Sequence, residues 1–337
     1  MKQFLILLLA ILVSGCTESL VAPKVDTSPP AVFEELWREF DMRYATFAER
    51  HVNWDSLHAL YAPRITANMP DTVLLAYFDS LLSPLRDGHV GINANHGGLR
   101  FAHADSTHEF EFSQVSSYYL GETANESNDG TIRYGRIQDS IGYMNITTFD
   151  ISDDTYWGTE IDAVLDSLAT AKALIVDLRG NDGGHAAAAM TLGARFMPEG
   201  LTVGYNQARY DENITHLSSP VPVVSGPSHF PLWTKPIVLL TNRGTMSAAE
   251  WVTMAAKLLP NVTIIGDTTQ GAFSSRLDRE LLNGWLYSLS FLRGTDANHV
   301  CHEGIGLIPD IEVYVRENQY TRSPDTVLDR ALEFLTK

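Results

Sequence analysis

One hydroxyl in this chain stands where a nucleophile would gain most. The segment Lys235-Pro-Ile-Val-Leu-Leu-Thr-Asn-Arg-Gly-Thr-Met-Ser-Ala-Ala-Glu250 is an apolar, β-branched run that stops at Asn242-Arg243-Gly244, and a helical pattern starts at Ser247. A junction between a buried strand and a helix aims unpaired backbone N–H groups and the positive end of the helix dipole at one point. Attack on a carbonyl by the Ser247 hydroxyl would place an oxyanion there, and those groups favour it. Ser247 and Glu250 also spell a capping box, a purely structural use of the same two residues. What decides between the two uses is what the rest of the chain can bring to that hydroxyl.

A second loop offers anion-binding geometry. Asp177-Leu-Arg-Gly-Asn-Asp-Gly-Gly184 follows the continuous apolar run from Ala173 to Leu178 and precedes a helical pattern. Open α/β sheets hold ligands in such loops, at the carboxyl ends of their strands. Gly183 and Gly184 let backbone N–H groups approach an anion with no side chain in the way. Neither the Walker pattern nor Gly-x-Gly-x-x-Gly is present, so an oxyanion hole is a better use than a phosphate cradle, with the Ala248 N–H as a second donor. A tight turn needing glycine geometry is the structural alternative. Arg179 and Arg243 could hold a terminal carboxylate by paired hydrogen bonds, and either could equally be structural. His299, Cys301, His302 and Glu303 are metal-ligand types, but their spacing fits no zinc pattern, so no metal and no cofactor is expected.

The elements that must position these groups read as α/β. From Ala31 to Leu85 the apolar period is helical, with Phe33, Leu36, Trp37 and Phe40 on one face and Leu74, Phe78, Leu81 and Leu82 on another. Val90 to Tyr143 reads mostly as short strands and turns. Beyond it, apolar strands at Tyr143–Thr147, Ala173–Leu178, Ile237–Leu240 and Val262–Gly266 alternate with helical patterns at 160–170, 185–196 and 247–259. That alternation indicates a mostly parallel sheet covered by helices on both faces. Asn283-Gly284 marks a hairpin, and Ser323-Pro324-Asp325 starts a last helix. The expected division is a signal at 1–16, a tether at 17–30, an N-terminal helical subdomain at 31–88, a strand-rich connector at 89–141, an α/β domain at 142–318 and a C-terminal helix at 319–337.

The amino end resembles the signal of bacterial lipoproteins. Lys2 supplies the charge, Phe4 to Val13 the short apolar core, and Val13-Ser14-Gly15-Cys16 the small residues before a cysteine. The apolar part is too short to span a bilayer, and Cys16 would become the lipidated first residue of an exported chain facing the periplasm. Cys301 is the other of the 2 cysteines, so a disulfide framework is not expected. A net charge of -17 with no basic stripe argues against nucleic acid as a partner.

Taken in order, Asp87-Gly-His89, Asp177-Leu-Arg-x-Asn-x-Gly-Gly184, Thr245-Met-Ser247-Ala-Ala-Glu250, Gly266-Asp-Thr-Thr-Gln-Gly271 and Glu303-Gly-Ile-Gly-x-x-Pro-Asp310 resemble the carboxyl-terminal processing, or tail-specific, serine peptidases. The tricorn protease core and the interphotoreceptor retinoid-binding modules belong with them. The resemblance implies a sandwich related to the crotonase and Clp protease folds, with Ser247 as nucleophile and Gly183 or Gly184 with Ala248 as oxyanion hole. One branch of the family takes a lysine as base at the place held here by Ala272. The tricorn-like branch takes a histidine oriented by a distant glutamate, and His89 and Glu303 stand at the matching places. Gly88 replaces the serine that joins them there, so contact would be direct or through water. Histidine titrates near neutrality and can take the serine proton, then pass it to the leaving amine. The residues between His89 and Gly142 are too few for the PDZ domain that many members carry. The implied activity is cleavage of exported proteins or peptides, near their C-termini, by a membrane-tethered serine endopeptidase. The alternatives are a catalytically silent module of the same fold that binds an apolar ligand or peptide, and transfer or hydrolysis of non-peptide acyl groups.

Overall fold

The computed structural model describes residues 25–94, 97–100, 112–151, 153–211, 213, 216–228, 230–313 and 325–337. The signal at 1–16, its Cys16 and most of the tether lie outside these residues, as does the start of the expected last segment. No helix among the described residues is long and apolar enough to cross a membrane.

Three helices open the chain: α1 (Pro29–Arg43), α2 (Trp54–Tyr61) and α3 (Asp71–Leu82). Asn53 starts α2 by accepting the Ser56 N–H on its side chain at 2.9 Å, which satisfies one of the amides a helix start leaves open. The apolar stripes of α1 and α3 meet, with the rings of Phe33 and Phe78 stacked at 6.1 Å. They do not close a core alone. Strands β1 (Gly91–Ala94) and β2 (Gly97–Arg100) follow, and they form one side of a four-stranded antiparallel sheet that completes the packing. Its other members, β11 (Arg276–Glu280) and β12 (Leu286–Ser290), come from the far end of the chain and bring Leu281, Trp285, Tyr287 and Leu289 under the helices. The Asn283-Gly284 hairpin joins them, closed by the Gly284 N–H on Leu281 O at 2.8 Å.

The next stretch holds a short helix where the sequence suggested mainly strands. Helix α4 (Phe112–Val115) runs on as π-helical turns to Leu120, before β3 (Asn125–Glu126) and β4 (Ile132–Ile137). Then come β5 (Ile141–Ile146), α5 (Asp154–Ser167), β6 (Ala173–Asp177) and α6 (Ala186–Gly193). Helix α5 starts earlier than its apolar period suggests, because Asp153 caps it by accepting the Thr155 and Tyr156 N–H groups. Strands β7 (Thr202–Ala208) and β8 (Val221–Val224) precede β9 (Ile237–Thr241), α7 (Ala248–Ala256) and β10 (Val262–Gly266). Strand β13 (Leu292–Asp296), β14 (Ile311–Glu312) and α8 (Thr326–Leu335) end the described chain.

The central sheet has seven strands in the order β14-β10-β9-β6-β5-β4-β3. The run from β14 to β5 is parallel, and β4 and β3 extend it antiparallel. Alternation along each strand divides the core. Met144, Ile146, Leu174, Val176, Ile237 and Leu239 face α5, α6 and α7, while Tyr143, Ile175, Val238 and Leu240 face α8. Both faces are therefore dry, which accounts for the unbroken apolar runs in these strands. A third sheet has three strands in the order β13-β7-β8.

Candidate active site

Ser247 sits where β9 gives way to α7, and its loop is laced to the one after β6. The Asn242 side chain accepts the N–H groups of Gly180 and Gly244, Thr245 Oγ1 donates to Leu178 O, and the Met246 N–H donates to Asn181 O, all between 2.9 and 3.0 Å. Ser247 itself is held at φ +55°, ψ -119°, a conformation that only glycine adopts freely. A strained non-glycine residue costs of order 1–3 kcal/mol and persists only where the surroundings over-determine it. Ser247 and Glu250 do occupy the two ends of a capping box, and Glu250 Oε2 accepts the Ser247 N–H at 3.2 Å. The hydroxyl also has a partner outside the helix. It lies 3.0 Å from His89 Nε2.

His89 is presented by a tight turn. The Val90 N–H donates to Asp87 O at 3.0 Å, and the His89 N–H donates to Asp87 Oδ1 at 2.9 Å. Tyr44 donates its phenol proton to the other oxygen of Asp87 at 2.8 Å. The direct link from Glu303 to His89 gives way to a different arrangement. Glu303 Oε1 accepts from Arg50 Nη2 at 2.6 Å, and Oε2 accepts the N–H groups of Phe273 and Ser274 at 2.8 and 3.1 Å. Gly88 between Asp87 and His89 offers no side chain to reach Glu303; Arg50 spans from Arg86 O to Glu303 instead, and the carboxylate in the histidine's own turn is Asp87.

The two glycines are needed for space as well as conformation. Gly183 lies at φ +91°, and a Cβ there would fall 2.6 Å from Ser247 Cβ; at Gly184 it would fall 2.1 Å from the Asp150 amide nitrogen. Their N–H groups differ. That of Gly183 donates to Asn181 Oδ1 at 2.9 Å, whereas those of Gly184 and Ala248 meet no acceptor among the described residues. Ala248 is the first residue of α7, so its N–H belongs to the set a helix leaves unsatisfied.

These groups open into a cleft of about 740 Å³ whose wall includes Met190, Met246 and Trp251, with Asn206 of β7, Val223 of β8 and Arg276 of β11. Neither arginine expected to hold a terminal carboxylate lines it. Arg179 is buried against Asp177 and Asp325, with both nitrogens of its fork engaged at 2.6–2.9 Å. Arg243 Nη1 donates to Thr269 O and Ile305 O, at 3.0 and 3.4 Å. The cluster at 299–303 disperses likewise: His302 pairs with Asp296 at 3.0 Å, His299 stacks on Tyr205, and Glu303 turns to Arg50. Burial pushes the Cys301 thiol up to about 12, so it is no nucleophile at neutral pH. Lys257 caps the far end of α7 and pairs with Asp310, while Ala272 donates its N–H to Glu250 Oε2.

The family model for peptidase family S41 matches residues 140–313, just over half of the chain, and the tricorn protease C1 domain model matches residues 26–74. The chain belongs to peptidase family S41. A carboxy-terminal processing protease of Bacillus subtilis, CtpA, is 30% identical over 182 residues, which cover 53% of this chain and 36% of that protein. A chloroplastic carboxyl-terminal-processing peptidase of Arabidopsis thaliana is 28% identical over 171 residues, covering 51% and 33%. The chain thus spans about a third of the length of these curated relatives. A solved structure from Parabacteroides merdae, named only as a candidate peptidase, superposes with a TM-score of 0.83 at 28% identity over 93% of this chain and 98% of that one.

Around this cleft, two buried acids brace the loops. Glu250, fully buried, accepts from Thr269 Oγ1, Gly271 N, Ala272 N and Ser247 N, and burial pushes its carboxyl up to about 7. Burial, and then the Asp87 carboxylate, raises Glu303 as well. Arg50 and Tyr44 escaped the sequence reading. Arg50 sits in Ala48-Glu49-Arg50-His51, which reads as a solvated helix end, and its partner Glu303 is 253 residues away. No local pattern could have signalled it.

Proposed function

We propose that the chain is a serine endopeptidase, with Ser247 as nucleophile, His89 as general base and then acid, and the Gly184 and Ala248 N–H groups as the oxyanion hole. The observation that carries this reading is the 3.0 Å approach of Ser247 Oγ to His89 Nε2. It joins residues 158 positions apart at a backbone conformation that a mere helix cap does not need. In the productive tautomer Nδ1 bears the proton and Nε2 accepts from Oγ as the Oγ–carbonyl bond forms. The tetrahedral oxyanion then lies toward the two free amides. His89 returns the proton to the leaving nitrogen as the C–N bond breaks, and water repeats the sequence on the acyl-enzyme. Gly183 gives room for the Ser247 side chain, and Glu303 holds the cleft wall through the amides of Phe273 and Ser274.

The substrate we assign is a peptide or exported protein cut near its C-terminus; the names of the curated relatives describe those proteins as carboxyl-terminal processing enzymes, which supports the site of the cut. The apolar wall of Met190, Met246 and Trp251 beside Ser247 suits an apolar side chain next to the cut. The signal-like start ending at Cys16 supports export and a lipid anchor on a cell-envelope membrane. Hydrolysis of fluorogenic peptides tests the chemistry: Ser247→Ala and His89→Ala should each lose at least about 10³-fold in kcat, and equal rates in parent and variants would overturn it. Cys16→Ser should move the expressed protein from the membrane fraction to the soluble fraction; unchanged partitioning would refute the anchor.

A further inference from the structure

The segment before β1 holds a buried ionic cluster that the reaction above does not use. Arg50 Nη1 donates to Arg86 O at 2.8 Å, just ahead of the histidine turn, where Arg86 takes a left-handed conformation at φ +48°. Its Nη2 donates to Glu303 Oε1 at 2.6 Å and Gly271 O at 3.1 Å, and stands 3.9 Å from Asp87 Oδ1. Asp87 and Glu303 have 0% side-chain exposure and Arg50 has 4%. One guanidinium therefore ties the turn carrying His89 to both loops that brace the other side of the cleft.

We propose that Asp87 and Arg50 are the positioning pair for His89: Asp87 pins the turn that aims the imidazole at Ser247, and Arg50 fixes that turn to the loops at Gly271 and Glu303. This rests on His89 as the base of the proposed reaction. Distances separate Asp87 from Glu303 in this role. Both oxygens of Glu303 are committed to Arg50 and to the wall amides, while Asp87 binds the backbone of the histidine itself. Breaking such a pair also leaves a buried charge uncompensated, so neither partner is replaceable by simple truncation. Of the two carboxylates, Asp87 is the one held ionised, beside Arg50 and the imidazole. That negative charge favours the imidazolium formed when His89 takes the serine proton.

Among the described residues, the titratable groups near His89 are Asp87, Arg50, Tyr44 and Glu303 behind it and Glu250 at the start of α7. Across the cleft stand Asp150, Asp182, His185, Arg276 and Asp278. None of these others bonds the backbone of the histidine turn among the described residues, and Arg276 is paired with Asp278 at 2.7 Å.

The test is the titration of His89 by histidine-selective NMR in the full chain, read beside the pH profile of peptide hydrolysis. Asp87→Asn, which keeps the shape, should lower the His89 midpoint by about one pH unit and cut kcat at least about tenfold with KM changed less than about twofold. Arg50→Gln should move the midpoint upward, and Arg50→Lys should restore it while recovering part of kcat. A purely structural pair would reduce folded protein without moving the midpoint in opposite directions. An unshifted midpoint in folded Asp87→Asn, or shifts of the same sign in both variants, would overturn the proposal. Should Arg50→Gln fail to fold, Asp87→Asn against Arg50→Lys carries the comparison. The NMR readout needs no turnover, so the pair can stand even if Ser247 proves not to be the nucleophile, and can fail while Ser247 remains reactive.

Discussion

Ser247 combines two demands that a helix cap would never impose together: a strained backbone and a hydroxyl facing an imidazole. Relief of that strain is measurable. Ser247→Gly should be more stable than Ser247→Ala by about 1 kcal/mol or more, since glycine alone adopts this conformation at no steric cost; equal melting temperatures would argue against strain. Gly183→Ala should abolish turnover, because its Cβ would fall 2.6 Å from that of Ser247. Peptide hydrolysis in a variant shown to be folded checks it. Glu250 makes a prediction about pH. Its folded carboxyl titrates at about 7 against an ordinary value of 4.5, so the native state holds a proton that the unfolded chain releases. The resulting stability is complete below the ordinary value and is lost as pH rises through about 7. Glu250→Gln should flatten that fall between about pH 4.5 and 7, and denaturant midpoints at several pH values would show it. At this scale Ser247 and the two glycines stood out by residue type and local spacing, while His89 entered through the family resemblance. Arg50, Tyr44 and the separation of duties between Asp87 and Glu303 could not be read in either way, because each depends on contacts between distant segments.

The elements favour the structural one of the two roles open to Arg179. Arg179 follows β6 directly and looked free to meet a carboxylate, yet the fold brings Asp325, the cap of α8, onto its guanidinium. The residue fastens α8 to the end of β6. Arg179→Met leaves Asp177 and Asp325 without their counter-charge and should destabilise the chain by about 3–5 kcal/mol. It should leave the preference for a free substrate terminus unchanged; a selective loss on substrates with a free carboxylate would restore the binding role. The parallel strands were legible because burial on both faces makes them apolar throughout, and the hairpin was legible from Asn283-Gly284. Strands β7, β8 and β13 were not. Their burial is partial and mixed, as in the exposed Val221 and Val224 of β8, so no clean period marks them.

Across the whole molecule, the N-terminal helices and the α/β layer are joined by more than a connector. The core under α1 and α3 is completed by Trp285, Tyr287 and Leu289, and the Arg50 cluster bridges to the loops at Gly271 and Glu303. A division at residue 88 is therefore a boundary in sequence pattern and not in packing. A fragment of residues 25–94 should show helical circular dichroism without cooperative unfolding, and a sharp two-state transition would contradict this. For the proposed mechanism the consequence is that His89 and Ser247 come from different packing layers, and they meet only when both are assembled. The most direct measurement is mass mapping of the adduct left by a fluorophosphonate on the full chain. The account predicts one modified residue, Ser247, with labelling lost in Ser247→Ala and slowed at least about 10²-fold in His89→Ala. Modification elsewhere, or equal labelling of Ser247 with and without the imidazole, would contradict it.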